Sequence, residues 1–171
     1  ASPESLVSFI SNIGSGEEYG IEAEVSVDFS RLGWWDGVLK VNYLRRHTSV
    51  TDPFDNMTRP FGFTPNWESS AEYRHEINTF IDGHIGLNYS QTGARFINDI
   101  DKRDRLKTQG SVAITIEHRL SDTFRISLSA NNILNQRESR RRQFFAFGPG
   151  DEREVRANRV QNAKWGRIIN I

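Results

Sequence analysis

In the segment YGIEAEVSVDF, Ile21, Ala23, Val25, Val27 and Phe29 alternate with Glu22, Glu24, Ser26 and Asp28. An extended strand sends successive side chains to opposite faces, so this period of two predicts a ribbon with one apolar side and one side that carries acids. The period recurs along the chain. Over Val38 to Arg45, Leu39, Val41 and Tyr43 oppose Lys40 and Asn42. Trp67, Ser69, Ala71 and Tyr73 oppose Glu68, Ser70, Glu72 and Arg74, and Ile81, Ile85, Leu87 and Tyr89 oppose Asp82, His84, Asn88 and Ser90. Val112, Ile114 and Ile116 then face away from Ser111, Thr115 and Glu117, while Phe124, Ile126, Leu128 and Ala130 alternate with Arg125, Ser127, Ser129 and Asn131. Leu6 to Ser11 is a short first candidate of ambiguous pattern, and WGRIINI begins a last strand.

The connections alternate in length. SRLGWWDG, HEINTF and LSDT are short, whereas Thr48 to Asn66, the stretch NDIDKRDRLK and the stretch from about Gly148 to Lys164 are long and polar. Pro53, Pro60 and Pro65 cannot donate to a ladder, which predicts a loop for the first long stretch. Short turns at one end and long loops at the other are the signature of an up-and-down membrane barrel, whose interior wall is polar and whose exterior is apolar. Aromatic residues gather near the predicted turns and loop ends: Trp34 and Trp35 at one, and Phe61, Phe63, Trp67, Phe144, Phe145, Phe147 and Trp165 at the other. Rings with an apolar body and a polar edge favour the boundary between hydrocarbon and headgroups. The alternative reading of these rings is the core of a soluble sandwich.

Composition narrows these readings. The chain has 171 residues, 36% of them hydrophobic, with 22 basic and 22 acidic side chains and mean hydropathy −0.60. Neutrality argues against bulk attraction to nucleic acid. No apolar run approaches the roughly 18 residues of a spanning helix, a limit that leaves barrels open because only every second strand residue must be apolar. Zero cysteines leave no disulfide framework and no thiolate metal site. The opening ASPESLVSFI lacks a basic stretch followed by a long apolar one, so no signal peptide is recognised.

Catalytic and metal-binding patterns are sparse. No G-x-S-x-G, H-E-x-x-H or phosphate-loop motif occurs, and His47, His75, His84 and His118 are scattered, so neither enzyme activity nor a cofactor is expected. Asp99, Asp101 and Asp104, or Asp52, Asp55 and Asn56, offer oxygen donors, but neither set follows the order of a calcium loop, and solvated loop acids are the simpler reading. Arg140, Arg141 and Arg142 form the densest basic cluster, followed by Phe144, Phe145 and Phe147. Guanidinium groups stack on rings and fork onto anions. Their place on the rising seventh strand suits contact with anionic outer-leaflet lipid. Glu22, Glu24, Glu68, Glu72, Arg74 and Arg125 are expected to form a charge-paired inner wall.

Three motifs, in order, also resemble a family. SNIGSGEEYGIEAEVSVDF looks like the stretch that opens a late barrel strand in TonB-dependent outer-membrane receptors, FRISLSANNILNQRE looks like their penultimate strand, with Asn132, Ile133, Leu134 and Asn135 at its Asn-Leu-Phe-Asp-like site, and Trp165, Gly166 and Arg167 resemble the start of the last strand. The resemblance implies that residues 1–171 are the C-terminal portion of a bacterial outer-membrane barrel, an all-β, antiparallel up-and-down transmembrane segment of about eight strands with short periplasmic turns and long extracellular loops. Ile171 is then expected to be a truncation point, because family members run a few residues further. The function implied is energised import of a scarce, bulky nutrient, such as an iron chelate, cobalamin or an oligosaccharide. Outer-membrane lipid would be the direct partner, and the TonB complex would act only through a plug region that nothing here resembles. Candidate ligand contacts in the predicted loops are Arg59, Phe61, Phe63, Arg140, Arg142 and Phe145. Two alternatives stay open on the residues alone: a self-contained barrel of about eight strands, and a soluble β-sandwich or lipocalin-like binding module.

Overall fold

A computed structural model describes residues 15–51, 56–77, 82–99, 101–147 and 153–170. The described chain is all-β and antiparallel, with a single 3-10 turn at Ser30–Leu32. Its strands are β1 (Gly16–Asp28), β2 (Gly37–Thr51), β3 (Thr58–Arg59), β4 (Trp67–Ile77), β5 (Gly83–Thr92), β6 (Arg95–Asn98), β7 (Lys102–Thr108), β8 (Ser111–Arg119), β9 (Arg125–Asn131), β10 (Arg137–Phe147), β11 (Arg153–Lys164) and β12 (Ile168–Asn170). The larger sheet has the order β1-β2-β4-β5-β8-β9-β12, with β3 beside β2, and the smaller has the order β11-β10-β7-β6. Neither sheet closes: β1 and β12 are terminal strands of the larger one.

The two sheets are built from the same ribbons. β5 continues into β6, β7 into β8, β9 into β10 and β11 into β12, each across a short interruption. Ser90 pairs with Ser111 in one sheet and Arg95 with Leu106 in the other, so the register between these two ribbons is unchanged across the interruption. Between β9 and β10 the chain inserts extra residues at Asn132 to Gln136, where Asn132 and Asn135 take φ of 54° and 53°. Asparagine tolerates this left-handed geometry because its short side chain bonds locally.

Pairing aligns the alternation laterally. Val25 faces Val41, Val41 faces Ala71, Ala71 faces Tyr89 and Tyr89 faces Val112. One row lower, Tyr73 faces Leu87, Leu87 faces Ile114 and Ile114 faces Ala130. One face of the larger sheet is therefore apolar across its strands. The other carries Glu24, Asn42, Ser70, Ser90 and Ser111 in a matching row.

Nothing among the described residues covers the apolar face. On that face Ile21 and Ile169 are 75% and 70% exposed and Leu87, Ile116 and Leu128 are also exposed; the single buried apolar side chain among the described residues, Val50 at 5% exposure, lies on the opposite face with Asn42. A soluble sheet of this size would pack that side against a second layer. At the turn after β1, Phe29 lies 5.6 Å from Trp34 and 5.2 Å from Trp35 by ring centroids, closing one end of the face with an aromatic group.

Two predicted loops are corrected. Lys102–Thr108, inside NDIDKRDRLK, is strand β7, and Arg153–Lys164 is strand β11, so the true breaks there are shorter than the charge runs suggested. Charged residues occupy both sides of these strands, which hides the period of two from a polarity reading. Thr48 to Asn66 is in part strand as well: β2 runs on to Thr51 and β3 is a two-residue strand. Leu6 to Ser11 lies outside the described residues.

Candidate functional site

The sequence-predicted contacts fall in two places. Arg59 lines a cleft of about 280 Å³ with Arg46, His47, Thr48 and Phe96. Phe61 is fixed at its rim, its backbone N–H donating to Thr48 Oγ1 at 3.0 Å, and Phe63, with φ 66° and 69% exposed, donates its N–H to the Phe96 carbonyl. In the cleft wall Arg46 donates to Glu68 and lies 3.7 Å from Glu18, so its charge is compensated.

Arg140, Arg142 and Phe145 lie in the smaller sheet, and the period of two separates them. Asp104, fully buried, accepts from Arg142 Nε at 2.7 Å and from Arg142 Nη2 at 2.9 Å. It also accepts from Arg140 Nε at 2.8 Å and from Arg140 Nη2. The Arg142 hydrogen bonds hold the Asp104 carboxyl below the usual carboxylate range against the opposing effect of burial, with Arg140 adding to them. Arg140 and Arg142 are thereby engaged with an acid of their own sheet. Phe145 lies on the opposite face, under the Arg103 guanidinium at 5.9 Å from its ring centroid.

Charge is arranged differently on these two faces. On the side of Asp104, Arg95 lies 3.8 Å from Glu138, and Lys102 is 2.9 Å from Asp99 and 3.8 Å from Asp101. The other side carries Arg103, Arg105 and Lys107 on β7, Arg137 and Arg141 on β10, and Lys164 on β11, with no acid in the same rows. A cavity of about 560 Å³ is lined by Lys107, Arg137 and Lys164 together with Gln109, Ser139 and Asn162. The sequence reading missed this group, because its members come from three strands and only the register brings them together.

The larger sheet's polar face pairs some of the expected wall charges. Arg125 Nε lies 3.1 Å from Glu117, and Arg74 Nε donates to Glu76 at 2.6 Å. Glu72 stands opposite Lys40, while Glu22 and Glu24 stand opposite Leu44 and Asn42. Among the described residues no group of three or more histidine or acidic side chains is placed to hold a metal ion. Asp99, Asp101 and Asp104 each bond basic side chains instead, and Asp52 and Asp55 lie outside the described residues. Comparison with protein-family models, curated proteins and solved structures finds no match.

Proposed function

We propose that this chain forms part of the membrane-spanning wall of an outer-membrane transporter of the TonB-dependent type, with the apolar face of the larger sheet against lipid and the polar face toward the lumen. The observation that carries the reading is the uncovered apolar face, continuous across β1, β2, β4, β5, β8 and β9. Lipid satisfies such a face without a second protein layer, and the opposite charged face then meets water.

Dimensions support the same reading. The column Tyr19, Ile21, Ala23, Val25 and Val27 spans about 26 Å of strand at about 3.3 Å per residue. Inclined by about 40°, it rises about 20 Å, close to the apolar belt of about 25 Å in membrane barrels once the Phe29, Trp34 and Trp35 cluster beyond its lower end is added. The columns on β5 and β8, Ile85 to Tyr89 and Val112 to Ile116, are shorter, and His75 and His118 stand at their lower limit. The smaller sheet, charged on both faces, extends beyond the belt into water. The nutrient imported would be held at that end, where the clefts and the basic rows lie.

Alkaline extraction of membranes followed by flotation with lipid vesicles tests the reading. The protein is expected to stay with the lipid fraction, and a strain lacking the gene is expected to lose uptake of a scarce nutrient in a manner that depends on the proton-motive force. A protein that is monodisperse in buffer without detergent would contradict the proposal.

A further inference from the structure

On the face of the smaller sheet opposite Asp104, Arg105 stands directly opposite Arg141, and Arg137 directly opposite Lys164. Like charges in directly opposed positions of an antiparallel pair are destabilising. Elsewhere in the chain such cost is relieved by acids: Asp104 sits between Arg140 and Arg142 on the other side of the same strands. Among the described residues no salt bridge reaches Arg105, Lys107, Arg137, Arg141 or Lys164. Glu138, which lines the same cavity as Lys107, Arg137 and Lys164, belongs to the opposite rows and lies 3.8 Å from Arg95.

The surroundings favour an anion in that place. The register of β5 and β8 continues into β6 and β7, so the rows of Arg105 and Lys107 prolong the rows of Ser111 and Thr115 on the polar face. Lower on that face the acids stand beside basic partners, Glu72 opposite Lys40 and Glu117 3.1 Å from Arg125. A solute meeting the surface therefore finds acids with basic neighbours in the larger sheet and basic rows without acids in the smaller one. Concave basic surfaces concentrate anions, and guanidinium groups bind carboxylate and phosphate through paired N–H donors.

We infer that the rows of Arg105, Arg141, Lys107, Arg137 and Lys164 form a binding site for a small solute bearing several carboxylate or phosphate groups, the anion supplying the negative charge that the protein omits. The inference rests on the proposed transport role only for its purpose, since it names the class of the imported solute; the site itself stands on register and charge. An oxyanion with two or more charged groups bridges the opposed cations and removes their repulsion. A neutral oligosaccharide would leave that repulsion in place.

Calorimetric titration of the purified protein with inorganic tripolyphosphate and with benzenehexacarboxylate, at low and at high salt, tests the site. Binding is expected at low salt and should weaken as salt screens the charges. Arg105→Gln with Arg141→Gln is expected to weaken it by about tenfold or more, the scale of lost charged hydrogen bonds. Arg31→Gln with Arg119→Gln, which removes the same charge from the opposite end, should leave it unchanged. Arg105→Lys with Arg141→Lys should retain binding within about fivefold, because charge is kept while the planar fork is lost. The glutamine pair is also expected to unfold no earlier than the parent, since it removes a repulsion. No binding at low salt, or equal loss in both glutamine pairs, would overturn the inference. Preference for one probe distinguishes phosphate from carboxylate as the source of the charge. Flotation with vesicles is scored separately, so a protein that binds the probes but does not float would sink the membrane reading and leave the anion site standing.

Discussion

The side-chain amide of Asn132 donates to the backbone carbonyl oxygen of Trp165 at 2.7 Å, and it reaches the Gly166 carbonyl at the same distance. Its Oδ1 accepts from the Gln136 N–H at 2.6 Å, and the Ile133 N–H bonds the Val112 carbonyl. One buried asparagine thus joins the break in the β9–β10 ribbon to the break in β11–β12, and the residue after it ties that break to β8. The interruptions between the two sheets are held side by side by these bonds.

Asn132→Ala removes the donors to two carbonyls and places a Cβ-bearing residue without local bonding at φ 54°. The expected loss of stability is about 3 kcal/mol, the sum of unsatisfied buried groups and left-handed strain. Asn132→Gly keeps the backbone geometry and should lose less. Urea-induced unfolding of the protein folded in detergent micelles measures the difference.

Asp104 gives the smaller sheet a dependence on pH. Its folded pKa is lowered, chiefly by the hydrogen bonds from Arg142, so the stability it contributes is fully present above its unfolded pKa of about 3.9 and is lost as pH falls through the lower folded value. Unfolding midpoints should fall between about pH 5 and the acid limit, and Asp104→Asn should flatten that decline. At neutral pH Asp104→Ala leaves two partly buried guanidinium groups unpaired, at an expected cost of about 3 kcal/mol.

Parity decides the cost of a new charge on β5. Leu87→Arg points toward the proposed lipid side and should destabilise the protein in vesicles by about 2–4 kcal/mol. Asn88→Arg, one residue on, faces the polar side beside Glu72 and Ala113 and should change stability by less than about 0.5 kcal/mol. Refolding yields into vesicles, followed by the shift of unheated protein in gel electrophoresis, report both.

The larger sheet was legible because one of its faces is apolar. Ile85, Leu87 and Tyr89, or Val112, Ile114 and Ile116, stand out only against polar neighbours, and pairing then aligned them as the alternation predicted. The smaller sheet lacked that contrast. In KRDRLKT both parities carry charge, so a strand looked like a loop. The triplet Arg140 to Arg142 looked like one basic cluster, whereas in an extended strand Arg141 faces away from its neighbours and toward the row of Arg105. Lys107, Arg137 and Lys164 are separated in sequence, and no local signal links them before the register is known.

The chain contains no cysteine, so single cysteines can be introduced along β5 without interference. Placed at residues 84, 85, 87, 88, 89 and 90 in the vesicle-embedded protein, they can be probed with a membrane-impermeant maleimide, and with nitroxide labels whose collisions with oxygen and with a water-soluble nickel chelate report lipid and water. Alternation is expected: positions 85, 87 and 89 shielded from the maleimide and rich in oxygen collisions, positions 84, 88 and 90 in contact with water. Uniform aqueous reactivity on both parities, or shielding of both, would contradict a wall with lipid on one side and water on the other.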